Sequence, residues 1–201
     1  KHILKQERSS SAIVFYWGIK KEFPGLHLHN IFFSDNYEEE FHCIFTKKTL
    51  YPDPTVYINI TSKCEPGVQA PAGKENWFVM VNAPSGAENY TPETISNCRK
   101  HIITKLNRLL GTDIDSLIEV EEVLDPAGIE NKTASFMGAL YGTSSNSKMA
   151  AFMRQANFSK QVKGLYFAGG SVHPGGGIPL CLKSAKIMSE IVADDMKDVL
   201  R

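Results

Sequence analysis

The sequence predicts an α/β chain, α+β-like in its order, in which an antiparallel or mixed sheet precedes a helix-rich remainder. In the first third, short runs rich in β-forming residues follow one another at spacings of about twenty residues. After residue 90, apolar residues recur every three and four positions, as on one face of an amphipathic helix. Strands that follow strands favour an antiparallel or mixed sheet over repeated βαβ units.

Four strands and one short helix are expected before residue 85. Residues 11–18 form a continuous apolar run, which predicts a strand buried on both faces. Further strands are expected over residues 29–34, 55–62 and 76–82, and the strand over 55–62 is expected to have unlike faces. The acidic segment 35–45 is typical of a short helix.

A long helix and a fifth strand follow. Thr91 precedes Pro92, which predicts a capped helix that begins at the proline and ends before Gly111. Residues 114–124 are expected to form a strand with acidic residues on one side. Asp125 is expected to start a further helix or turn.

The carboxyl-terminal part reads as a strand, a glycine-rich turn and a final helix. The strand is expected over residues 164–169 and the helix over 179–199. The helix is expected to bury five side chains and to turn Lys183 and Lys186 toward water. The five are Leu182, Ala185, Ile187, Met188 and Ile191.

Composition excludes several classes of function. The chain has 201 residues, 42% of them hydrophobic, with 22 basic and 22 acidic residues, so no nucleic-acid partner is expected. No run approaches the ~20 apolar residues of a membrane span, and we expect a cytoplasmic protein, with peripheral membrane contact left open. The cysteines show no paired spacing and are expected to be free thiols: Cys43, Cys64, Cys98 and Cys181. His27 and His29 have no third partner nearby, so no metal site is predicted.

The glycine-rich turn is the strongest functional signal in the sequence. Such a density of glycine is expected where backbone must approach another group closely. The first turn of the helix that follows carries no acidic residue, so its free amides and positive dipole end are available to a ligand. A polar or anionic cofactor against this turn is the natural interpretation. The alternative is a tight strand-to-helix turn without a ligand.

This turn resembles the carboxyl-terminal signature of the phytoene desaturase family, the flavin-dependent carotenoid desaturases of the amine-oxidase-like superfamily. The matching positions are Leu165, Tyr166, Phe167, Gly169, His173, Pro174, Gly175, Gly176, Gly177 and Pro179. Val172 stands where the family often has threonine. A looser resemblance extends upstream over nearly the whole chain, whereas the glycine-rich fingerprint with which family members open is absent.

The resemblance implies an FAD site and a desaturation reaction. The predicted cofactor-binding residues are Gly169, Gly170, Ser171, His173, Pro174, Gly175, Gly176, Gly177, Ile178 and Pro179. The implied reaction removes a hydride to the flavin and a proton from the neighbouring carbon of a long apolar polyene. No convincing base is visible in the chain, so the catalytic residues stay unknown. His173 could act as an acid or base, although ordering the turn is the favoured interpretation.

Two further features have open interpretations. Residues 142–147 form a small polar loop expected to pass close to a ligand. The aromatic residues of the sheet are expected to be mostly core, with a few that contact substrate. They are Phe15, Tyr16, Trp17, Phe32, Phe33, Tyr57, Trp77 and Phe78.

By resemblance, the chain is expected to be the carboxyl-terminal part of a longer flavoenzyme whose amino-terminal half would be its partner. Residues 1–112 would belong to a substrate-binding domain, 113–160 to a connecting segment and 161–201 to the FAD domain, a Rossmann-like fold. Alone, the chain is expected to be inactive. Two alternatives to desaturation stay open: a polyene isomerase or retinol-saturase-like enzyme, and a non-catalytic apolar-ligand-binding protein.

Overall fold

The computed structural model describes residues 6–86, 90–144 and 154–199. The chain forms two compact units. Residues Ser10–Gly138 make up the first, which we call the sheet unit. Residues Lys1–Ser9 and Ala139–Arg201 make up the second, which we call the C-terminal unit.

The sheet unit contains a five-stranded antiparallel sheet, which confirms the predicted α/β class. The strands are β1 (Ser11–Ile19), β2 (His29–Phe32), β3 (Val56–Asn59), β4 (Glu75–Ala83) and β5 (Ile118–Leu124). Their order across the sheet is β2-β3-β4-β1-β5, and every pair is antiparallel. The two longest strands, β1 and β4, therefore lie in the middle.

One face of the sheet carries the core, which is buried over the central strands. Alternate residues of β1 point into it, including Ile13, Phe15 and Trp17, which are at most 2% exposed. Ile102 and Leu106 of the long helix belong to the same buried cluster. The prediction that β1 is buried on both faces is only partly confirmed, because Tyr16 on its other face is 42% exposed.

Four α-helices accompany the sheet in the described residues. They are α1 (Tyr37–His42), α2 (Pro92–Leu110), α3 (Pro126–Thr133) and α4 (Ile178–Val199). The predicted caps of α2 are confirmed: Thr91 Oγ1 accepts the Thr94 amide at 3.2 Å, and Gly111 is left-handed. Asp125 caps α3 in the same way, accepting the Gly128 amide at 2.7 Å.

Four predicted elements are shorter than expected. Strand β2 ends at Phe32 instead of residue 34, and β3 spans Val56–Asn59 instead of 55–62. The helix predicted over residues 35–45 ends at His42 and continues as a π-helical turn, Cys43–Lys47. The strand predicted over 114–124 begins only at Ile118, because Asp115–Leu117 form a 3₁₀ turn. Its pairing with β1 also begins there, opposite Ile19.

A buried lysine ties α2 to the ends of two strands. The Lys105 side chain is 3% exposed, and its Nζ donates to the carbonyls of Phe33 at 2.9 Å and Pro54 at 2.6 Å. It also contacts Asp53 Oδ1 at 2.8 Å. Burial raises the pKa of Asp53, but hydrogen bonds from the Asp35 amide and from Lys105 outweigh it and leave that pKa below its usual value.

The cysteines are free thiols, as predicted. Burial raises the pKa of the Cys98 thiol in α2 to about 12, so this thiol stays protonated at neutral pH.

The C-terminal unit is built around α4, and the predicted burial of this helix is partly wrong. Leu182 is 68% exposed and Ala185 is also exposed, whereas Ile187, Met188 and Ile191 are half-buried. Apolar periodicity identifies a helix face, but within the described residues only Ser184 is buried in the first two turns of α4. None of the helices in the described ranges combines the length and apolar character needed to span a bilayer.

Candidate functional site

The segment before the glycine-rich turn is not the strand predicted over residues 164–169. It forms a single antiparallel bridge between Tyr166 and Phe158. The Phe167 amide donates to the Asn157 carbonyl at 2.8 Å, and the Ser159 amide donates to the Leu165 carbonyl at 2.9 Å. A strand needs a continuous neighbour, and the described residues supply only this short stretch.

Asn157 and Ser184 hold the turn together from inside. Both are buried, and Asn157 Nδ2 lies 2.8 Å from Ser184 Oγ. The same amide nitrogen reaches the carbonyls of Phe167 at 3.1 Å and His173 at 3.0 Å, while Ser184 Oγ accepts the Gly169 amide at 3.1 Å. One buried pair thus connects both ends of the turn to α4.

Arg154 holds the outer side of the turn. Its Nη1 donates to the carbonyls of Tyr141 at 3.0 Å and Gly170 at 3.1 Å. A Cβ at Gly175 would lie 3.3 Å from the Arg154 Nε atom. The guanidinium group therefore packs directly against the glycine backbone.

The glycines of the turn serve two different needs. A Cβ at Gly176 would overlap the ring of Tyr141, so this glycine is required by close approach. Gly177 has φ of +99° and open space where a Cβ would stand, so its requirement is conformational.

The polar loop after Gly142 was predicted to approach a ligand, but its described part contacts the turn itself. A Cβ at Gly142 would lie 2.9 Å from Ser171 Cβ. Residues 145–147 of the predicted loop lie outside the described residues.

The structure separates the predicted site residues by accessibility. Those on the surface are Ser171, His173, Gly177, Ile178 and Pro179. Those that are half-buried are Gly169, Gly170, Pro174 and Gly176, while Gly175 is buried. The accessible residues flank the start of α4, where Ile178 is 79% exposed and the first turn carries no acidic residue. The geometry can therefore present backbone amides and a positive dipole end to an anionic or electron-rich group.

His173 participates in the turn through its backbone. Its amide donates to the Gln155 carbonyl at 2.9 Å, and its own carbonyl accepts Asn157 Nδ2. The imidazole is on the exposed side of the turn.

A second pair links the segment before the turn to α4. The Tyr166 hydroxyl donates to Asp195 Oδ2 at 2.6 Å, and this hydrogen bond raises the pKa of the phenol.

The sequence offered no signal for Arg154, Asn157, Ser184 or Tyr141 as site residues. Asn157 stands in an Asn-x-Ser sequence, which carries no information about a buried amide. These residues act through contacts with backbone that is distant in sequence, and such contacts leave no local pattern.

The sheet unit has a second candidate surface on the face of the sheet opposite the core. Ring contacts run across it from Tyr16 to Phe78 at 5.5 Å, on to Tyr57 at 6.4 Å, and on to His29 at 6.0 Å. We call this surface the open face. The prediction about aromatic residues is thereby divided. Phe15, Trp17 and Trp77 are core, and Phe32 packs partly buried against it. The remaining four reach the surface: Tyr16, Tyr57 and Phe78 on the open face, and Phe33.

A trough lies on the open face beside Tyr16 and Phe78. Its volume is about 440 Å³, within the range of about 300–1,000 Å³ that is typical of small-molecule sites. Its lining combines these rings with Gly18, Val120 and Glu122. An elongated apolar ligand could pack there beside a few polar groups.

Similar proteins define the class. A 1-hydroxycarotenoid 3,4-desaturase of Flavobacterium sp. is 58% identical over 94% of this chain, a match that covers 38% of the relative. A phytoene desaturase of Fusarium fujikuroi is 32% identical over 95% of this chain and 37% of the relative. A 4,4'-diapolycopene oxygenase of Methylomonas sp. is 32% identical over 98% of this chain and 40% of the relative. No protein-family model matches the chain.

The homologues are carotenoid desaturases and related carotenoid oxidoreductases. The chain belongs to the phytoene desaturase family, as the glycine-rich turn indicated. It spans about two fifths of the length of the relatives it matches.

Proposed function

We propose that the whole protein containing this chain is an FAD-dependent carotenoid desaturase. The observation that carries the proposal is the 58% identity, over 94% of the chain, to a 1-hydroxycarotenoid 3,4-desaturase. The exposed start of α4 and its glycine-rich turn support a flavin contact. The aromatic open face supports an apolar substrate.

The glycine-rich turn fits one wall of a flavin site. The proposed cofactor-binding residues remain those of the sequence analysis, from Gly169 to Pro179 without Val172. Gly177 leaves open space for a ring to approach the backbone, and Ile178 is exposed at the helix start. The positive end of α4 would stabilise negative charge on a reduced flavin.

The proposed reaction removes two hydrogens from adjacent carbons of a carotenoid and forms a carbon–carbon double bond. FAD, when bound, would accept the hydride and its electron pair, and a base or water would accept the proton. The residues of this chain would orient the polyene and exclude water. The proposed division of roles follows the sequence analysis: substrate binding by residues 1–112, a connection over 113–160, and cofactor binding by 161–201.

The experiment uses the full-length protein, purified and supplied with FAD and a 1-hydroxylated carotenoid in detergent micelles. Desaturation predicts a product two mass units lighter, with absorbance shifted to longer wavelength because one double bond joins the conjugated system. A product sixteen units heavier would instead indicate oxygenation, the activity in the name of the Methylomonas relative. An unchanged mass with altered absorbance would indicate an isomerase, and a heavier hydrogenated product a saturase. Binding without turnover would indicate a carrier. We expect the present chain alone to be inactive.

We also propose peripheral membrane contact through an aromatic stripe. The stripe comprises Phe33, Tyr37, Phe41 and Phe45, whose neighbouring rings lie 4.7 to 6.0 Å apart. Phe33 is 63% and Tyr37 is 50% exposed. The amphipathic tyrosine ring favours the headgroup region of a bilayer, and the apolar phenylalanine ring favours burial just below it.

Co-sedimentation of the full-length protein with phosphatidylcholine vesicles tests this contact. The double variant Phe33→Ser/Tyr37→Ser should reduce the bound fraction, whereas the charge variant Glu38→Gln on the same helix should not. Equal binding by all three proteins would contradict the assignment.

A further inference from the structure

We propose that the trough on the open face binds the hydroxyl-bearing end of a carotenoid, with Glu122 as the acceptor of the hydroxyl hydrogen bond. This inference rests on the proposed desaturase function. It adds a binding residue and a reason why one end of the substrate must be polar.

The strand register places the trough around a missing side chain. Gly18 of β1 lies opposite Val120 of β5 on one side and Asn76 of β4 on the other. With no side chain at Gly18, the space between these two neighbours stays open. A Cβ there would come 3.4 Å from Val120 Cβ, at the limit of ordinary contact.

One row farther along the strands, the same face carries aromatic rings and a carboxylate. Tyr16 lies opposite Phe78 on one side and Glu122 on the other. Directly opposed side chains of antiparallel strands have Cβ atoms about 4.5–5.5 Å apart, so the carboxylate stands beside the Tyr16 ring. The trough thus has apolar walls and a charged group at the edge strand.

Among the described residues Glu122 has no polar partner, unlike the polar neighbours around it. Asn76 Nδ2 donates to Thr61 Oγ1 at 2.6 Å, and its Oδ1 accepts the Ser62 amide at 2.9 Å. Asn59 Nδ2 donates to the Leu28 carbonyl at 3.0 Å. Within the part of the chain that the structure describes, Glu122 has neither a hydrogen bond nor an ion pair.

An unpaired carboxylate selects the chemistry of the ligand that covers it. A purely apolar polyene lying in the trough would remove water from Glu122 and give nothing in return, which is unfavourable. A hydroxyl group at the end of the polyene would donate a hydrogen bond to the carboxylate while its chain packs against Tyr16 and Phe78. The trough therefore favours a hydroxylated end over a hydrocarbon end.

The test compares a 1-hydroxylated carotenoid with its non-hydroxylated counterpart, using the full-length protein in detergent micelles. Equilibrium binding, followed by the shift of carotenoid absorbance, is measured together with kcat/KM for each. The Glu122→Val variant should bind the hydroxylated carotenoid roughly 10- to 100-fold more weakly, the loss of one charged hydrogen bond. It should bind the hydrocarbon as well as the wild type does, or better.

The matched control is Glu119→Val, which removes the same charge from the bulged end of the same strand, outside the lining of the trough. Glu119 is engaged with Lys74 at the surface, and such pairs contribute little to stability. This variant should keep the wild-type preference for the hydroxylated carotenoid. An equal loss of preference in both variants would overturn the assignment, because it would reflect net charge.

A second variant fills the trough without disturbing the strand. Gly18→Ala places a methyl group in the opening at a backbone conformation open to any residue, and it should leave the melting temperature unchanged or higher. We expect it to weaken binding of the hydroxylated carotenoid at least 3-fold, whereas Gly25→Ala, which adds a methyl group in open space, should not. Full binding by Gly18→Ala would overturn the site.

The two proposals fail in different ways. Binding that depends on Glu122, without turnover, would contradict the desaturase proposal and support the trough. If the protein turns over its substrate and the Glu122→Val variant keeps the wild-type preference for the hydroxylated carotenoid, the desaturase proposal is supported and the trough proposal is overturned. If the wild type binds neither carotenoid, the trough proposal is overturned.

Discussion

The sheet unit and the C-terminal unit are stabilised in different ways. The sheet unit buries a continuous apolar cluster between one face of its sheet and α2. The C-terminal unit relies on a buried polar pair, Asn157 and Ser184, and on glycines that allow close backbone contacts. Its helix α4 leaves Ile178 and Leu182 largely exposed. The comparison teaches that the first unit is held by its own core, whereas the second is arranged to present a surface.

The largest expected effect is in the core of the sheet unit. Leu106→Ala removes a completely buried side chain of α2 and should lower the free energy of unfolding by about 2–5 kcal/mol. Leu109→Ala, on the 48% exposed side of the same helix, should change it by less than about 0.5 kcal/mol. Urea unfolding followed by tryptophan fluorescence measures both, since Trp17 and Trp77 lie in this core. Equal effects would contradict the packing described.

A close contact sharpens the comparison in the C-terminal unit. Gly176→Ala drives a methyl group into the Tyr141 ring and should destabilise this unit by about 1–3 kcal/mol. Adding Tyr141→Ala should recover part of this loss, because the overlap disappears. Hydrogen exchange of the amides near Gly169 reports on the unit. If the double variant loses more free energy of unfolding than the two single variants lose together, the contact is contradicted.

The polar pair of the C-terminal unit is expected to have a similar or slightly smaller effect. Asn157→Ala leaves the buried Ser184 hydroxyl and the carbonyls of Phe167 and His173 without their donor, at a cost of about 1–3 kcal/mol. Gln155→Ala keeps the backbone carbonyl that His173 uses and should be nearly neutral. Hydrogen-exchange rates of the amides near Gly169 should rise in Asn157→Ala but not in Gln155→Ala. Unchanged rates in Asn157→Ala would contradict the hydrogen-bond network of Asn157 and Ser184.

The smallest effect concerns pH. Because the pKa of Asp53 is below its usual value in the folded state, its contribution to stability is complete above about pH 4 and is lost as the pH falls through the folded pKa. Asp53→Asn should lower stability at pH 7 by about 1 kcal/mol and flatten its decline in acid. Thermal unfolding between pH 7 and pH 3 measures this, and an unaltered slope would contradict the contact with Lys105.

Local signals in the sequence were sufficient for most of the sheet unit. Alternation in β3, the apolar stripe of α2 and its caps at Thr91 and Gly111 are all properties of neighbouring residues. The strand expected over 164–169 did not form, because a strand depends on a distant partner that no local pattern contains.

The candidate site was only partly predictable for the same physical reason. The glycine-rich turn and the absence of acidic residues at the start of α4 are visible in the sequence. The contacts of Arg154, Asn157 and Tyr141 are not, since each joins segments that are far apart in sequence. The trough around Gly18 depends on strand register, which the sequence leaves undetermined until the pairing of β1 with β5 is known.

The most direct test of the central claim is the visible absorbance of the full-length protein purified without added cofactor, beside its Gly177→Val variant. The account predicts flavin bands in the wild type that are released as FAD on denaturation. It predicts that they are lost in the variant, because valine is strained at φ +99° and would occupy the open space at the turn. A wild type that is colourless and takes up no added FAD, or a variant with full flavin occupancy, would contradict the claim.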